Sequence, residues 1–109
     1  MTPAIPTLFA DADPSLAPEL EASVIPHATK AFKTPSPKPA WDNDSYAGRR
    51  VYIRTLQDAV FPPPVQDQYI QASGKEWTTV DLQASHGAFV SRPQELAGIL
   101  CNFAKAWQA

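Results

Sequence analysis

The sequence predicts an α/β protein in which two parallel strands are each followed by a helix, the whole preceded by a short helical segment. Three observations predict it. Val51-Tyr52-Ile53-Arg54-Thr55-Leu56 is rich in β-branched and aromatic residues, the composition of a strand buried between layers. Trp77-Thr78-Thr79-Val80-Asp81-Leu82 places Val80 and Leu82 on one face and Thr79 and Asp81 on the other, the alternation of a half-exposed strand at a sheet edge. Leu96, Ile99, Leu100, Phe103, Ala104 and Trp107 recur at the three- and four-residue spacing of an amphipathic helix that packs back on a sheet.

The chain divides into two parts, residues 1–41 and 42–109. The first reads as short helices broken by loops. Pro18 and Pro26 limit helix length, and Thr34-Pro35-Ser36-Pro37-Lys38-Pro39 must be extended. It suits a covering element better than a core. In the second part the strand from Val51 is followed by Asp58 and the run Pro62-Pro63-Pro64. Val65, Tyr69 and Ile70 then share one helical face, and Gly74 is placed to stop that helix. The edge strand comes next, and Ser91-Arg92-Pro93-Gln94 fits a capping box, with Ser91 as the cap and Gln94 three positions later. Two strands joined by a crossover helix are expected to be parallel and right-handed. Such a pair leaves the strand at 51–56 with an apolar, unpaired flank, which soluble proteins normally cover or pair.

Composition narrows the function classes. At 109 residues, with 44% hydrophobic and 18% charged residues, the chain has the make-up of one globular unit. Its formal charge of −2 comes with scattered Lys and Arg, so no footprint for nucleic acid or an anionic membrane is present. A single cysteine, Cys101, excludes an internal disulfide and a cysteine-based zinc cluster; lying in an apolar helical stretch, it is expected to be a buried, inert thiol. The start, Met1-Thr2-Pro3-Ala4-Ile5-Pro6, has neither a basic region nor a long apolar run, so no signal peptide is read there. No stretch approaches the about 18 apolar residues of a membrane-spanning helix. The expectation is a soluble, cytoplasmic protein without cofactor or metal.

In open α/β sheets, reactive groups gather beyond the carboxyl ends of parallel strands, where the loops converge on one crevice. Asp58 follows the first strand in Gln57-Asp58-Ala59-Val60-Phe61, and His86 follows the second in Ser85-His86-Gly87-Ala88-Phe89. A carboxylate bonded to one imidazole nitrogen fixes the tautomer and leaves the other nitrogen as general base. Asp58 and His86 are the candidate catalytic residues.

These residues resemble the α/β-hydrolases of the plant methylesterase and hydroxynitrile lyase group and their fungal and bacterial relatives. The resemblance is strongest over Arg50-Val51-Tyr52-Ile53-Arg54-Thr55-Leu56-Gln57-Asp58, the helix with Gln66, and Ser85-His86-Gly87-Ala88-Phe89-Val90-Ser91-Arg92-Pro93-Gln94-Glu95-Leu96. The 28 positions between Asp58 and His86 are about what the family pattern leads one to expect. Residues 8–32, followed by Lys33-Thr34-Pro35, resemble the end of the family's helical lid. The resemblance implies the C-terminal part of an α/β-hydrolase fold behind a lid remnant, with Asp58 as triad acid and His86 as general base. In that fold the chain order is nucleophile, acid, histidine, and the serine stands in a Gly-x-Ser-x-Gly elbow. Gly48, Gly74, Gly87 and Gly98 never bracket a serine in that spacing, and no Gly-rich loop offers oxyanion-hole amides. The expectation is a truncated hydrolase, inactive alone, whose substrate would be a small-molecule ester once the missing half is supplied. The alternative is a non-catalytic binding module that pairs its exposed sheet edge with a protein partner or a second copy.

Other polar and aromatic residues invite blander readings. His27, after Pro26, suits a solvated position in the lid-like segment better than a substrate contact. Trp41, Trp77 and Trp107 fall separately in loop, strand and helix, which favours ordinary packing over a ligand-stacking set. Asp13, Glu19 and Glu21 have no metal-ligand spacing with either histidine and read as a solvated face.

Overall fold

A computed structural model describes residues 4–108. It shows the strand, helix, strand, helix order behind a set of short helical turns. Two strands, β1 (Val51–Thr55) and β2 (Thr78–Leu82), pair in parallel, with Ile53 opposite Val80 and Thr55 opposite Leu82. Parallel neighbours need a crossover, and the connection carries a ten-residue helix.

The first helices are α1 (Ala4–Leu8), α2 (Ala17–Ser23) and α3 (Thr29–Lys33), all short. Pro18 sits in the first turn of α2, where its missing N–H costs nothing, and Thr34 leaves α3 in an extended conformation that leads into the proline stretch. Just before β1, the buried guanidinium of Arg50 donates to the Trp41 and Asn43 carbonyls at 2.6 and 2.9 Å, which fastens the loop before the strand to the sheet. Along β1 every residue is half-buried rather than enclosed between layers, because β2 is its only strand neighbour among the described residues.

The crossover helix α4 (Pro63–Ala72) begins inside the proline run, two residues earlier than the apolar spacing alone suggests. Pro63 and Pro64 occupy its first turn, where no intrahelical donor is required, and the first amides that can donate, Val65 and Gln66, both reach Pro62 O. Gly74 lies just past the end with φ +66°, the left-handed conformation that closes a helix. Tyr69 is largely exposed, and the buried residue of α4 is instead Gln66.

Beyond β2, α5 (Ala88–Ser91) and α6 (Pro93–Ala106) are separated at Arg92. The predicted capping box does not form. Ser91 is absorbed into α5, and Arg92 becomes the residue before α6, with no side-chain cap. Cys101 is exposed rather than buried. The helical period explains it: two residues correspond to about 200° of rotation, so Cys101 points away from the stripe of Ile99 and Phe103.

The apolar core is small, formed by Leu82, Ala84 and Ala88 with Ile53 and Ile99 packed against it. Many large apolar side chains remain at the surface, among them Leu100, Phe89, Trp41 and Trp107. The radius of gyration is 15.9 Å, against about 13 Å for a compact domain of this length. Between β1 and α6 runs an open groove of about 410 Å³ whose walls include Trp41, Ile53, Trp77, Ile99, Phe103 and Trp107. The three tryptophans, separate in sequence, share this groove, and Trp41 meets Trp77 edge to face at 5.4 Å.

Candidate active site

Both predicted residues stand just beyond strand ends, and the structure brings them together. Leu56 N and Gln57 N continue the sheet pairing past β1 by donating to Leu82 O and Ala84 O at 3.0 Å each. That continuation carries the loop at Asp58 alongside the loop at His86. His86 Nδ1 lies 3.0 Å from Asp58 Oδ2, with the carboxylate buried and the imidazole side chain 36% exposed. Asp58, as a carboxylate, can only accept, so Nδ1 is the donor of this bond.

The acid is held from all sides. Its Oδ1 accepts from the Val60 and Phe61 amides at 2.8 and 2.9 Å, and Oδ2 accepts from Thr55 Oγ1 at 2.8 Å as well as from His86. Burial pushes the Asp58 carboxyl up, but the Phe61 amide, His86, Thr55 and the Val60 amide together outweigh it and hold the group below its ordinary value. Asp58 is therefore ionised at neutral pH.

Two residues that sequence reasoning did not assign hold this loop. Gln66 is 1% exposed; its carboxamide accepts from Thr55 N at 3.1 Å and donates to Thr55 O at 2.9 Å and Phe61 O at 2.7 Å. It ties the end of β1 to the far side of the Asp58 loop. Thr55 in turn carries a direct bond to the acid. The available signal was the helical spacing: Gln66 precedes the half-buried Ile70 by four residues, which puts a polar residue on the inward face. Phe61, at the loop's end, lies 5.7 Å from the His86 ring, centroid to centroid.

The remaining polar candidates are elsewhere. His27 is exposed in the loop between α2 and α3 and rests against Phe32, with ring centroids 4.6 Å apart. Asp13 caps the turn at Pro14–Leu16 through Ser15 N, and Glu21 accepts from Ile5 N at 3.0 Å. Among the described residues no group of three or more His, Cys, Asp or Glu is arranged to hold a metal. The serine adjoining the histidine, Ser85, is fully buried, and its hydroxyl is directed at Leu8 O and Asp11 rather than at the imidazole.

Parallel strands whose ends present a bonded acid and histidine define a part of an α/β-hydrolase. Comparison with known proteins agrees. The chain is 33% identical over 89 residues to a pyrethroid hydrolase of Sphingobium wenxiniae, matching 82% of this chain and 31% of the relative. It is 34% identical over 58 residues to the putative chloroplastic methylesterase 14 of Arabidopsis thaliana, matching 53% of this chain and 17% of the relative. Among solved structures, the pyrethroid hydrolase PytH with BIF superposes on 94% of this chain and 39% of its own, with TM-score 0.69 and 27% identity. No family model matches. The chain has the fold of part of an α/β-hydrolase, and it spans less than a third of the length of the first of these curated relatives.

Proposed function

We propose that this chain provides the acid and the general base of a serine-type carboxylic-ester hydrolase, acting on a serine nucleophile that none of its 109 residues supplies. The observation that carries the reading is the 3.0 Å bond between His86 Nδ1 and Asp58 Oδ2. In the complete site, Nε2 takes the serine proton as the serine oxygen attacks the ester carbonyl. The imidazolium, stabilised by Asp58, then returns that proton to the departing alkoxide. Water repeats the sequence on the acyl-enzyme, releasing the acid and regenerating the serine. The names of the relatives, a pyrethroid hydrolase and methylesterases, support small-molecule esters as the substrate class. Without a nucleophile or an oxyanion hole, the chain alone does not turn esters over.

The test has two arms. The purified chain is assayed on an aryl ester, and turnover abolished by His86→Ala would overturn the inactivity. The chain is also grafted in place of the matching segment of the Sphingobium pyrethroid hydrolase. A folded chimera is expected to hydrolyse the ester and to lose that activity on His86→Ala. A folded but inert chimera contradicts the proposed roles.

Among the described residues β1 has no second strand neighbour, which favours a second reading, a non-catalytic module that adds a strand from a protein partner or a second copy. It predicts a defined complex in sedimentation. A well-behaved monomer at high concentration counts against self-pairing.

A further inference from the structure

We propose that Asp11 is a positioning residue for His86, acting through Ser85, the residue that precedes the histidine. This rests on the reading of His86 as general base. The turn after α1 docks on the loop at 85–87 and touches it on both sides of the histidine. On one side the Ser85 hydroxyl faces Asp11 Oδ1 and Leu8 O; on the other, Gly87 N donates to Leu8 O at 2.7 Å. Ser85 is fully buried, and the Asp11 carboxylate is 13% exposed. The contact is close: a Cβ at 87 would meet the Phe9 ring, which would have to shift to admit it. Phe9 also meets Phe89 edge to face at 6.4 Å.

Asp11 Oδ2 is buried without a hydrogen-bond partner, as is the nearby Ser91 hydroxyl, and Arg92 Nη2 approaches Oδ2 to 3.7 Å. With one oxygen on Ser85 and the other beside Arg92, the carboxylate spans the loop at 85–87 and the start of α6, and its hydrogen bonds outweigh the burial that would push its carboxyl up. Asp58 orients the imidazole from its Nδ1 side but cannot fix the backbone that carries it. Tethering residues 85 and 87 removes the freedom of the loop on either side of the ring, and a base must be held to within about 0.5 Å to act. A segment that reads as a lid remnant therefore also braces the base.

Nuclear magnetic resonance of the full chain, with ¹⁵N-labelled histidine, tests this without requiring activity. The wild-type His86 ring is expected in the Nδ1–H form, with a nuclear Overhauser contact to the Phe61 ring. In Asp11→Ala the Nδ1–H population is expected to fall by about half and the Phe61 contact to weaken. Ser85→Ala, which removes a single oxygen and leaves the Gly87–Leu8 bond, is expected to do the same and serves if Asp11→Ala does not fold. Asp13→Ala, in the same segment but away from the loop, should leave the ring signals unchanged. Unaltered His86 signals in whichever of the two variants folds overturn the proposal and make Asp11 a structural anchor only. Failure of the hydrolase reading would instead show as an inert chimera with the ring effect intact.

Discussion

Gln66 closes both backbone groups of Thr55 with one carboxamide, its oxygen receiving the Thr55 amide at 3.1 Å and its nitrogen donating to the Thr55 carbonyl at 2.9 Å. The same nitrogen reaches Phe61 O, so one side chain of α4 sets the span of the loop that presents Asp58.

Gln66→Met, close in volume but without polar atoms, should leave Thr55 N, Thr55 O and Phe61 O short of partners in a buried setting. The expected loss is about 2–4 kcal/mol, read from the urea midpoint of the variant against wild type. Unchanged stability would show that the loop holds its shape unaided.

The Asp58 carboxyl is held below its ordinary value of 3.8, so the folded state binds this proton less readily than the unfolded chain. Its contribution to stability is complete above the unfolded value and is lost as pH falls through the lower, folded one. Asp11 and Asp13 are shifted in the same direction and steepen the same acid limb. Asp58→Asn should therefore flatten the fall in urea midpoint between neutral pH and about pH 3, relative to wild type. An equally steep fall in the variant would remove Asp58 from the acid transition.

Gly87→Ala should cost about 1–3 kcal/mol, because the added methyl meets the Phe9 ring rather than because of backbone conformation. Adding Phe9→Ala opens that space, so the double variant should be destabilised by less than the two single changes combined. Simple additivity in thermal melts would refute the clash.

Cys101, exposed on the outer face of α6, should react with a disulfide reagent in native buffer about as fast as in denaturant. Protection in the native state would place that face of the helix under another surface.

What the sequence disclosed depends on the kind of signal. Alternation made β2 legible, and a β-branched run made β1 legible, since both report on side chains facing one way or two. The meeting of Asp58 with His86 was legible because the loops beyond neighbouring parallel strand ends converge. Their brace at Gln66 was harder, since a buried amide interrupts an apolar pattern without announcing its partners. Asp11 and Ser85 were out of reach: they are 74 positions apart, and no local period couples a turn near the start of a chain to a loop near its end. The Ser91 capping box misled for a local reason. Gly87 and Ala88 start a short helix of their own, which consumes Ser91 before α6 begins. Judging the tryptophans separate had the same root, because sequence spacing says nothing about a groove assembled from a loop, the approach to a strand, and a helix end.

That groove gives the molecule an optical reporter of its own. All three tryptophans of the chain line it, with Trp77 also hydrogen-bonded to Ser73 Oγ at 2.9 Å, while Trp41 and Trp107 remain more than a third exposed. Anything that settles over β1 and α6 strips water from the indoles together and should move intrinsic emission to shorter wavelength. A surface left bare by the fold thus registers its own occupation, with no label required.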